Sequence, residues 1–195
     1  MGWRSRKHLR VHDFCHARAN GRLVHGRQIG RRAVHRVQKR IGLRHEQIVA
    51  FLENSLLFQE MGKETLQELA RRMGFCKVRA GSTIIREGDE GHLLFLIWSG
   101  RVKVLKEQES GAQKALAALG PGDAFGEIAL LDNVNRTSSV QAVTPSEMLT
   151  LSREDFQNHL LRRLGAETVR KRIQIAGFLA RNELFADWNP KALNL

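Results

Sequence analysis

Residues 119–140, LGPGDAFGEIALLDNVNRTSSV, combine turn, helix and strand signals with charged residues at a defined spacing. Two glycines around a proline predict a turn at 120–122, because neither residue type continues regular structure. The run at 126–131 predicts a short helix, and the polar residues 132–135 predict a loop. The alternation that follows is typical of a β-strand. We therefore expect a short helix between a turn and a strand.

Three residues of this stretch have the chemistry of a phosphate site. Gly126, at the start of the predicted helix, lets an anion come close to free backbone N–H groups. Arg136 follows ten residues later, where a loop can return its planar guanidinium to the same point. Glu127 would repel a phosphate and needs another partner, for which a sugar hydroxyl is one candidate. These residues indicate an anion site beside a hydrogen-bond acceptor.

The net charge of +12 lies entirely in the first 45 of the 195 residues. That segment holds 13 Lys and Arg against one acid, whereas residues 46–195 hold 19 of each sign. We predict that residues 1–45 form a basic, disordered tail. The alternatives are an arm for nucleic acid or anionic membrane, a mitochondrial targeting peptide, and a metal site at His12, Cys15 and His16. Nucleic acid is expected to bind, if at all, only through this tail.

Apolar periodicity divides the rest of the chain. Residues 46–74 predict two amphipathic helices, with apolar positions at 48–58 and 66–73 and with Gly74 as the stop. Short strands spaced by glycine turns follow, and they favour an antiparallel sandwich or jelly roll. The continuous apolar run at 93–98 predicts a strand buried on both faces.

The C-terminal part returns to helical periodicity. Ser152 begins a capping-box-like helix start, and a helical face extends to residue 164. Residues 165–195 carry a further helical run. Its Phe-Leu and Leu-Phe pairs are similar to those of residues 51–58, which predicts an internal repeat that the chain begins and does not complete.

Phe-Gly-Glu-Ile-Ala-Leu-Leu at 125–131, followed after four residues by Arg136-Thr137, resembles the phosphate-binding cassette of cyclic-nucleotide-binding domains. The resemblance covers residues 46–164 and extends to the turn glycines, which are Gly81, Gly88, Gly91, Gly100, Gly120, Gly122 and Gly126. It implies an α+β fold that is mainly β, an eight-stranded antiparallel β-roll (jelly roll) with flanking N- and C-terminal helices.

The resemblance also implies a ligand, cyclic GMP or cyclic AMP, and no metal. In the family the Glu binds the ribose 2′-hydroxyl and the Arg binds the cyclic phosphate, roles that fall on Glu127 and Arg136. A hydroxyl residue at the position of Thr137 can bond the 2-amino group of guanine and favours cyclic GMP, although cyclic-AMP binders with Ser or Thr exist. Asn135 replaces a frequent proline, and Ser138 replaces a frequent alanine. The expected ligand-binding residues are Gly126, Glu127, Ile128, Ala129, Arg136, Thr137 and Ser138.

By the same resemblance, the chain is expected to be a sensor, most similar to the regulatory region of a cyclic-nucleotide-dependent protein kinase. The effector would be a kinase catalytic domain in cis or in trans. The alternatives are the sensor of a transcription regulator like the cyclic AMP receptor protein, or a ligand-free interaction module of the same fold. Ligand is expected to draw residues 153–184 over the base, with Phe178, Phe185 or Trp188 as an apolar lid.

Other signals bear on activity and location. No nucleophile–base set, metal spacing or kinase signature is visible, so we expect no enzymatic activity. No apolar run has the length of a bilayer span, and no secretory signal is visible. Cys15 and Cys76 have no metal or redox spacing and are expected to be free thiols in a reducing compartment. These features predict a cytoplasmic protein.

Overall fold

The computed structural model describes residues 45–180 and two short strands near the N-terminus, Arg18–Ala19 and Arg22–Leu23, which pair antiparallel. The prediction of a disordered tail, with its alternatives, otherwise lies outside the described residues and stays a prediction. The predictions for Cys15, for Phe185 and Trp188, and for residues 181–195 of the predicted repeat also lie outside the described residues.

Eight strands form two four-stranded antiparallel sheets, and they confirm the predicted β-roll. The strands are β1 Gly74–Val78, β2 Thr83–Ile85, β3 Leu93–Ser99, β4 Val102–Glu107, β5 Gln113–Leu119, β6 Ala124–Phe125, β7 Ser139–Ala142 and β8 Ser146–Ser152. The first sheet has the order β1-β8-β3-β6, and the second has the order β2-β7-β4-β5.

Strand β3 separates two hydrophobic cores. Leu94 and Leu96 point to a core shared with the helices, whereas Phe95 and Ile97 point to the core between the two sheets. All four side chains are buried. Successive residues of a strand face opposite sides, so a strand covered on both sides must be apolar throughout. The predicted burial of both faces is confirmed.

Five helical segments between residues 45 and 180 flank the sheets. They are α1 His45–Glu53, α2 Lys63–Arg72, α3 Glu127–Leu131, α4, and α5 Ala166–Ala180. Helix α4 comprises Arg153–Asp155, a π-helical stretch Phe156–Leu161 and Arg162–Leu164. The predicted start of α4 is confirmed, because Asp155 donates its backbone N–H to the Ser152 hydroxyl.

Two predicted helix boundaries are wrong. The single amphipathic segment at 48–58 is divided, because α1 ends at Glu53 and a series of turns follows. There the Asn54 side chain donates to the Ala50 carbonyl, 2.9 Å away, and satisfies one of the last carbonyls of the helix. Gly74 does not stop α2. Met73 adopts an extended conformation at the helix end, and Gly74 already belongs to β1.

Candidate functional site: an anion cavity at the short helix

A cavity of about 240 Å³ lies between the second sheet, helix α3 and helix α5. Its floor is apolar and comes from strands of the second sheet, whereas its polar wall comes from residues 119–140. All seven predicted ligand-binding residues line this one cavity: Gly126, Glu127, Ile128, Ala129, Arg136, Thr137 and Ser138. Residues that are up to 12 positions apart in the chain therefore meet at one place.

Several contacts hold the Arg136 side chain in the wall of the cavity. Its Nη1 donates to the Gly126 carbonyl at 2.7 Å, and its Nη2 donates to the Leu93 carbonyl at 2.8 Å. Its guanidinium carbon lies 6.0 Å from the centre of the Phe95 ring, within the range of a cation–π contact. The residue is only 7% exposed. These contacts hold the cation in one position before any ligand binds.

Two glycines make room for this guanidinium. Gly126 has a φ of 85°, and a Cβ there would lie 2.5 Å from Arg136 Nη1. A Cβ on Gly91 would lie 3.0 Å from Arg136 Cζ and 2.6 Å from Ala129 Cβ. All three distances are below or at the limit of real contacts, so only glycine leaves the arginine in place. The sequence identified Gly91 as a turn residue and missed this second role.

The backbone of Arg136 is fixed by the loop between β2 and β3. Arg136 donates its N–H to the Asp89 carbonyl at 2.8 Å, and its own carbonyl accepts from the Gly88 N–H at 2.8 Å. Gly88 has a φ of 86°, which is unfavourable for other residues. The predicted glycine turn at this point therefore positions the arginine that lies almost 50 residues further along the chain.

Burial perturbs both charged groups of the site. Burial lowers the pKa of Arg136 to about 10, against the opposing effect of the nearby Glu127 charge. Burial also raises the pKa of Glu127 above its ordinary value of 4.5, opposed by its own backbone N–H and by the charge of Arg136. Among the described residues, none of the ion pairs involves Arg136. The guanidinium is thus a buried cation whose direct partners are two neutral carbonyls.

Helix α3 adds backbone donors beside this cation. Gly126 caps the helix in a left-handed conformation, without a side chain that accepts from the first turn. The first N–H groups of a helix have no acceptor within it, and those of Ile128 and Ala129 belong to this turn. The two residues line the cavity together with Arg136. The arrangement can bind an anion through one guanidinium and main-chain donors.

A family model for the cyclic nucleotide-binding domain matches residues 75–163, which include this entire site. Residues 75–163 form a domain of the cyclic nucleotide-binding domain family. The match begins in β1 and ends in α4, so it covers both sheets and the cassette. The resemblance that the sequence predicted is confirmed.

Several known proteins with such a domain are similar to this chain. It is 37% identical over 123 residues to the cGMP-dependent protein kinase egl-4 of Caenorhabditis elegans, covering 62% of this chain and 16% of the kinase. It is 44% identical over 84 residues to the cyclic AMP receptor protein of Thermus thermophilus, covering 43% of this chain and 38% of that protein. The chain therefore spans less than two fifths of either relative.

A solved structure supports the same assignment. The regulatory domain of Toxoplasma gondii PKA, crystallised with cAMP, is 29% identical and superposes with a TM-score of 0.58. The match covers 74% of this chain and 54% of that one.

Helix α5 closes one side of the cavity in this cyclic nucleotide-binding domain. Ile173, Gln174 and Gly177 line the cavity, whereas Phe178 does not line it and is 60% exposed. An ion pair between Arg170 Nη2 and Asp132 Oδ1, 2.6 Å apart, joins α5 to the residue that follows α3. The lid at Phe178 is expected only when a ligand is bound, so it stays a prediction. The positions 173, 174 and 177 have helical spacing, so the sequence could have placed these three lining residues on one face of a helix.

The remaining predicted residues lie at the rim. Thr137 is exposed, and its carbonyl accepts from Lys106 Nζ at 2.8 Å, while Lys106 also pairs with Glu87 at 2.5 Å. Ser138 is half-buried. Elsewhere, Cys76 is buried, and its expected state as a free thiol stays a prediction. Of the helices between residues 45 and 180, none has both the length and the hydrophobicity needed to cross a bilayer.

Proposed function

We propose that this chain binds a cyclic nucleotide, cyclic GMP or cyclic AMP, with its phosphate at Arg136, and that it acts as a regulatory module. One observation carries the proposal. Arg136 is a buried cation that is held in position by the Gly126 and Leu93 carbonyls and forms no ion pair within the described part of the chain.

A buried charge is costly unless an opposite charge or strong hydrogen bonds compensate for it. Arg136 uses two of its five N–H donors on carbonyl oxygens, and the other three remain for a further partner. A phosphate oxygen anion provides the missing charge and matches the planar guanidinium. The same anion accepts from the N–H groups of Ile128 and Ala129. This is the chemistry of a cyclic phosphate with its single negative charge.

Glu127 distinguishes this site from a simple phosphate site. Its carboxylate lies close enough to Arg136 to affect the pKa of that residue, yet the two form no ion pair. An ionised carboxylate is only an acceptor, so it selects a ligand with a hydroxyl close to its phosphate. The ribose 2′-hydroxyl of a cyclic nucleotide has this position. A 2′-deoxy ligand is expected to bind more weakly.

Calorimetry on the full chain with cyclic AMP, cyclic GMP, 2′-deoxy cyclic AMP and 5′-AMP tests the proposal. We expect heat with at least one cyclic ribonucleotide and weaker binding of the deoxy and linear compounds. Chromatography of the nucleotide after incubation is expected to return it unchanged, because the domain is a sensor and has no catalytic role. No heat with either cyclic ribonucleotide would refute the proposal.

Arg136→Lys is the decisive variant, because it keeps the charge and removes the fork of donors. A charge-assisted bond contributes about 1.5–3 kcal/mol, so we expect an affinity roughly 10- to 150-fold lower. Arg86→Lys is the matched control, since Arg86 is exposed and its side chain forms no hydrogen bond within the described residues. Circular dichroism of both variants separates lost binding from lost folding.

We further propose that the effector is a protein kinase catalytic domain, in cis or in trans. The 123-residue similarity to a cGMP-dependent protein kinase supports this candidate. The 44% identity to a cyclic AMP receptor protein supports a second one, the sensor of a transcription regulator. Inhibition of a kinase catalytic domain that cyclic nucleotide relieves would support the first. Nucleotide-dependent retardation of DNA would support the second.

A further inference from the structure

Arg153, the first residue of α4, connects three separate segments around the anion cavity. Its Nη2 donates to the Gly91 carbonyl at 2.6 Å and to the Ala129 carbonyl at 3.1 Å. Its Nη1 donates to Asn133 Oδ1 at 3.0 Å, and its backbone N–H donates to the His92 carbonyl at 2.8 Å. Arg153 does not line the cavity. Any influence it has on the ligand is therefore indirect.

Arg153 completes the C-terminal end of α3. The last carbonyls of a helix lack a partner within it, and a cation near that end is also favoured by the helix dipole. Arg153 supplies both, because it bonds the Ala129 carbonyl and the side chain of Asn133 just beyond the helix. Asn133 has a φ of 53°, the left-handed conformation common after a helix end. Arg153 thereby fixes a helix whose other end faces the anion.

The loop between β2 and β3, here called the Gly91 loop, contacts Arg136 directly. The Cα of Gly91 packs so closely on Ala129 and on the Arg136 guanidinium that a Cβ would clash with both. The same loop bonds both the N–H and the carbonyl of Arg136, through Asp89 and Gly88. A shift of Arg136 toward a bound phosphate must therefore move this loop, and Arg153 is bonded to it.

From this geometry we infer that Arg153 is a positioning residue, which holds α3 and the Gly91 loop around Arg136 and couples the occupied cavity to α4. The coupling rests on the proposed function, since it needs a ligand at Arg136. The positioning itself is a property of the ligand-free protein. The two parts can therefore be measured separately.

Hydrogen–deuterium exchange of the full chain tests the positioning without any ligand. In Arg153→Met, which keeps the length of the side chain and removes its donors, we expect faster exchange at the amides of Asp132 and Gly88 than in the wild type. These amides report on the end of α3 and on the loop that holds Arg136. Arg163→Met is the matched control, because Arg163 is an exposed residue of the same helix with no side-chain bond in the described region. Unchanged exchange at both amides in Arg153→Met would overturn the inference, whatever the nucleotide does.

Binding of cyclic AMP and cyclic GMP tests the coupling. We expect Arg153→Met to bind about 5- to 150-fold more weakly than the wild type, the range typical of coupling between sites. At saturating nucleotide, protection of the α4 amides is expected to rise in the wild type and in Arg163→Met, and not in Arg153→Met. Equal affinity and equal protection in all three proteins would refute the coupling.

Arg153→Lys separates position from charge. It retains the positive charge close to Arg136, but one ammonium cannot reach all three acceptors in the same geometry. We expect the lysine variant to remain weaker than the wild type, and full recovery of affinity would show that charge alone matters. If the wild type binds neither nucleotide, the proposed function fails, while the exchange of the ligand-free variants still decides the positioning.

Discussion

Replacing Gly126 by alanine tests how strictly the cavity depends on the position of the Arg136 guanidinium. The new Cβ would lie 2.5 Å from Arg136 Nη1 and 3.2 Å from the Leu93 carbonyl oxygen. Arg136 must then leave one or both of the carbonyls that hold it. Gly122→Ala is the matched control, because Gly122 has a φ of 90°, close to the 85° of Gly126, but has open space where the Cβ would be.

The two substitutions share the cost of backbone strain and differ in the contact with Arg136. A non-glycine residue in this left-handed region costs about 1–2 kcal/mol in either variant. Losing one hydrogen bond of the charged guanidinium adds about 1.5–3 kcal/mol in Gly126→Ala alone. For a chain of this size, that difference lowers the Tm by roughly a further 3–12 °C. We also expect cyclic nucleotide affinity to fall more than about 10-fold in Gly126→Ala and to stay within about twofold of wild type in Gly122→Ala.

Thermal unfolding followed by circular dichroism gives the Tm, and calorimetry on the folded proteins gives the affinity. The reasoning is refuted if both variants lose the same stability and bind the nucleotide equally well. In that case backbone strain alone would account for the lower Tm, and the hydrogen bond between Arg136 and the Gly126 carbonyl would not matter for nucleotide binding.

Three further substitutions follow from the same site and its supports. Wild-type affinity, measured by calorimetry, should fall as acid protonates Glu127, and it should do so at a pH above 4.5 because burial raises the pKa of this carboxyl. Glu127→Gln should weaken nucleotide binding at neutral pH and abolish this pH dependence. Thr137→Ala should lower the affinity for cyclic GMP about fivefold and leave that for cyclic AMP unchanged, since only guanine offers a 2-amino group; equal effects on both nucleotides would contradict the assignment. Ser152→Ala removes the N-cap of α4 and the hydroxyl that donates to Asp155 Oδ2 at 2.7 Å. Urea unfolding should show that the free energy of unfolding falls by about 2–4 kcal/mol, and a fall below about 0.5 kcal/mol would count against the cap.

The strands could be predicted from the sequence because their pattern depends on local composition. The apolar run at 93–98 has no polar face, so it predicted a strand covered on both sides, and β3 has both cores against it. Turn glycines marked the strand ends for the same local reason. The helix boundaries were less accessible. Residues 48–58 keep an apolar period through the turns after Glu53, because those side chains are buried in the same core without being helical.

The seven candidate ligand-binding residues were identified from residue type and spacing within one short stretch, which includes both the glycine and the arginine. Their grouping around one cavity agrees with that prediction, although ligand binding itself stays a proposal. What sequence did not indicate is which distant groups hold Arg136. The Leu93 carbonyl lies 43 positions before Arg136, and Gly91 packs on the guanidinium from the loop that precedes β3.

The sequence by itself determined the fold family, and the roles proposed for Gly126, Glu127 and Arg136 follow from residue type and separation alone. Only the tertiary structure decided that Arg136 is buried on neutral carbonyls and that Ile173, Gln174 and Gly177 of α5 line the cavity. It also decided that Arg153 bonds both α3 and the Gly91 loop. The physical reason is distance along the chain. Spacing constrains neighbours within a turn or a loop, whereas contacts between remote segments depend on how the sheets and the helices pack together.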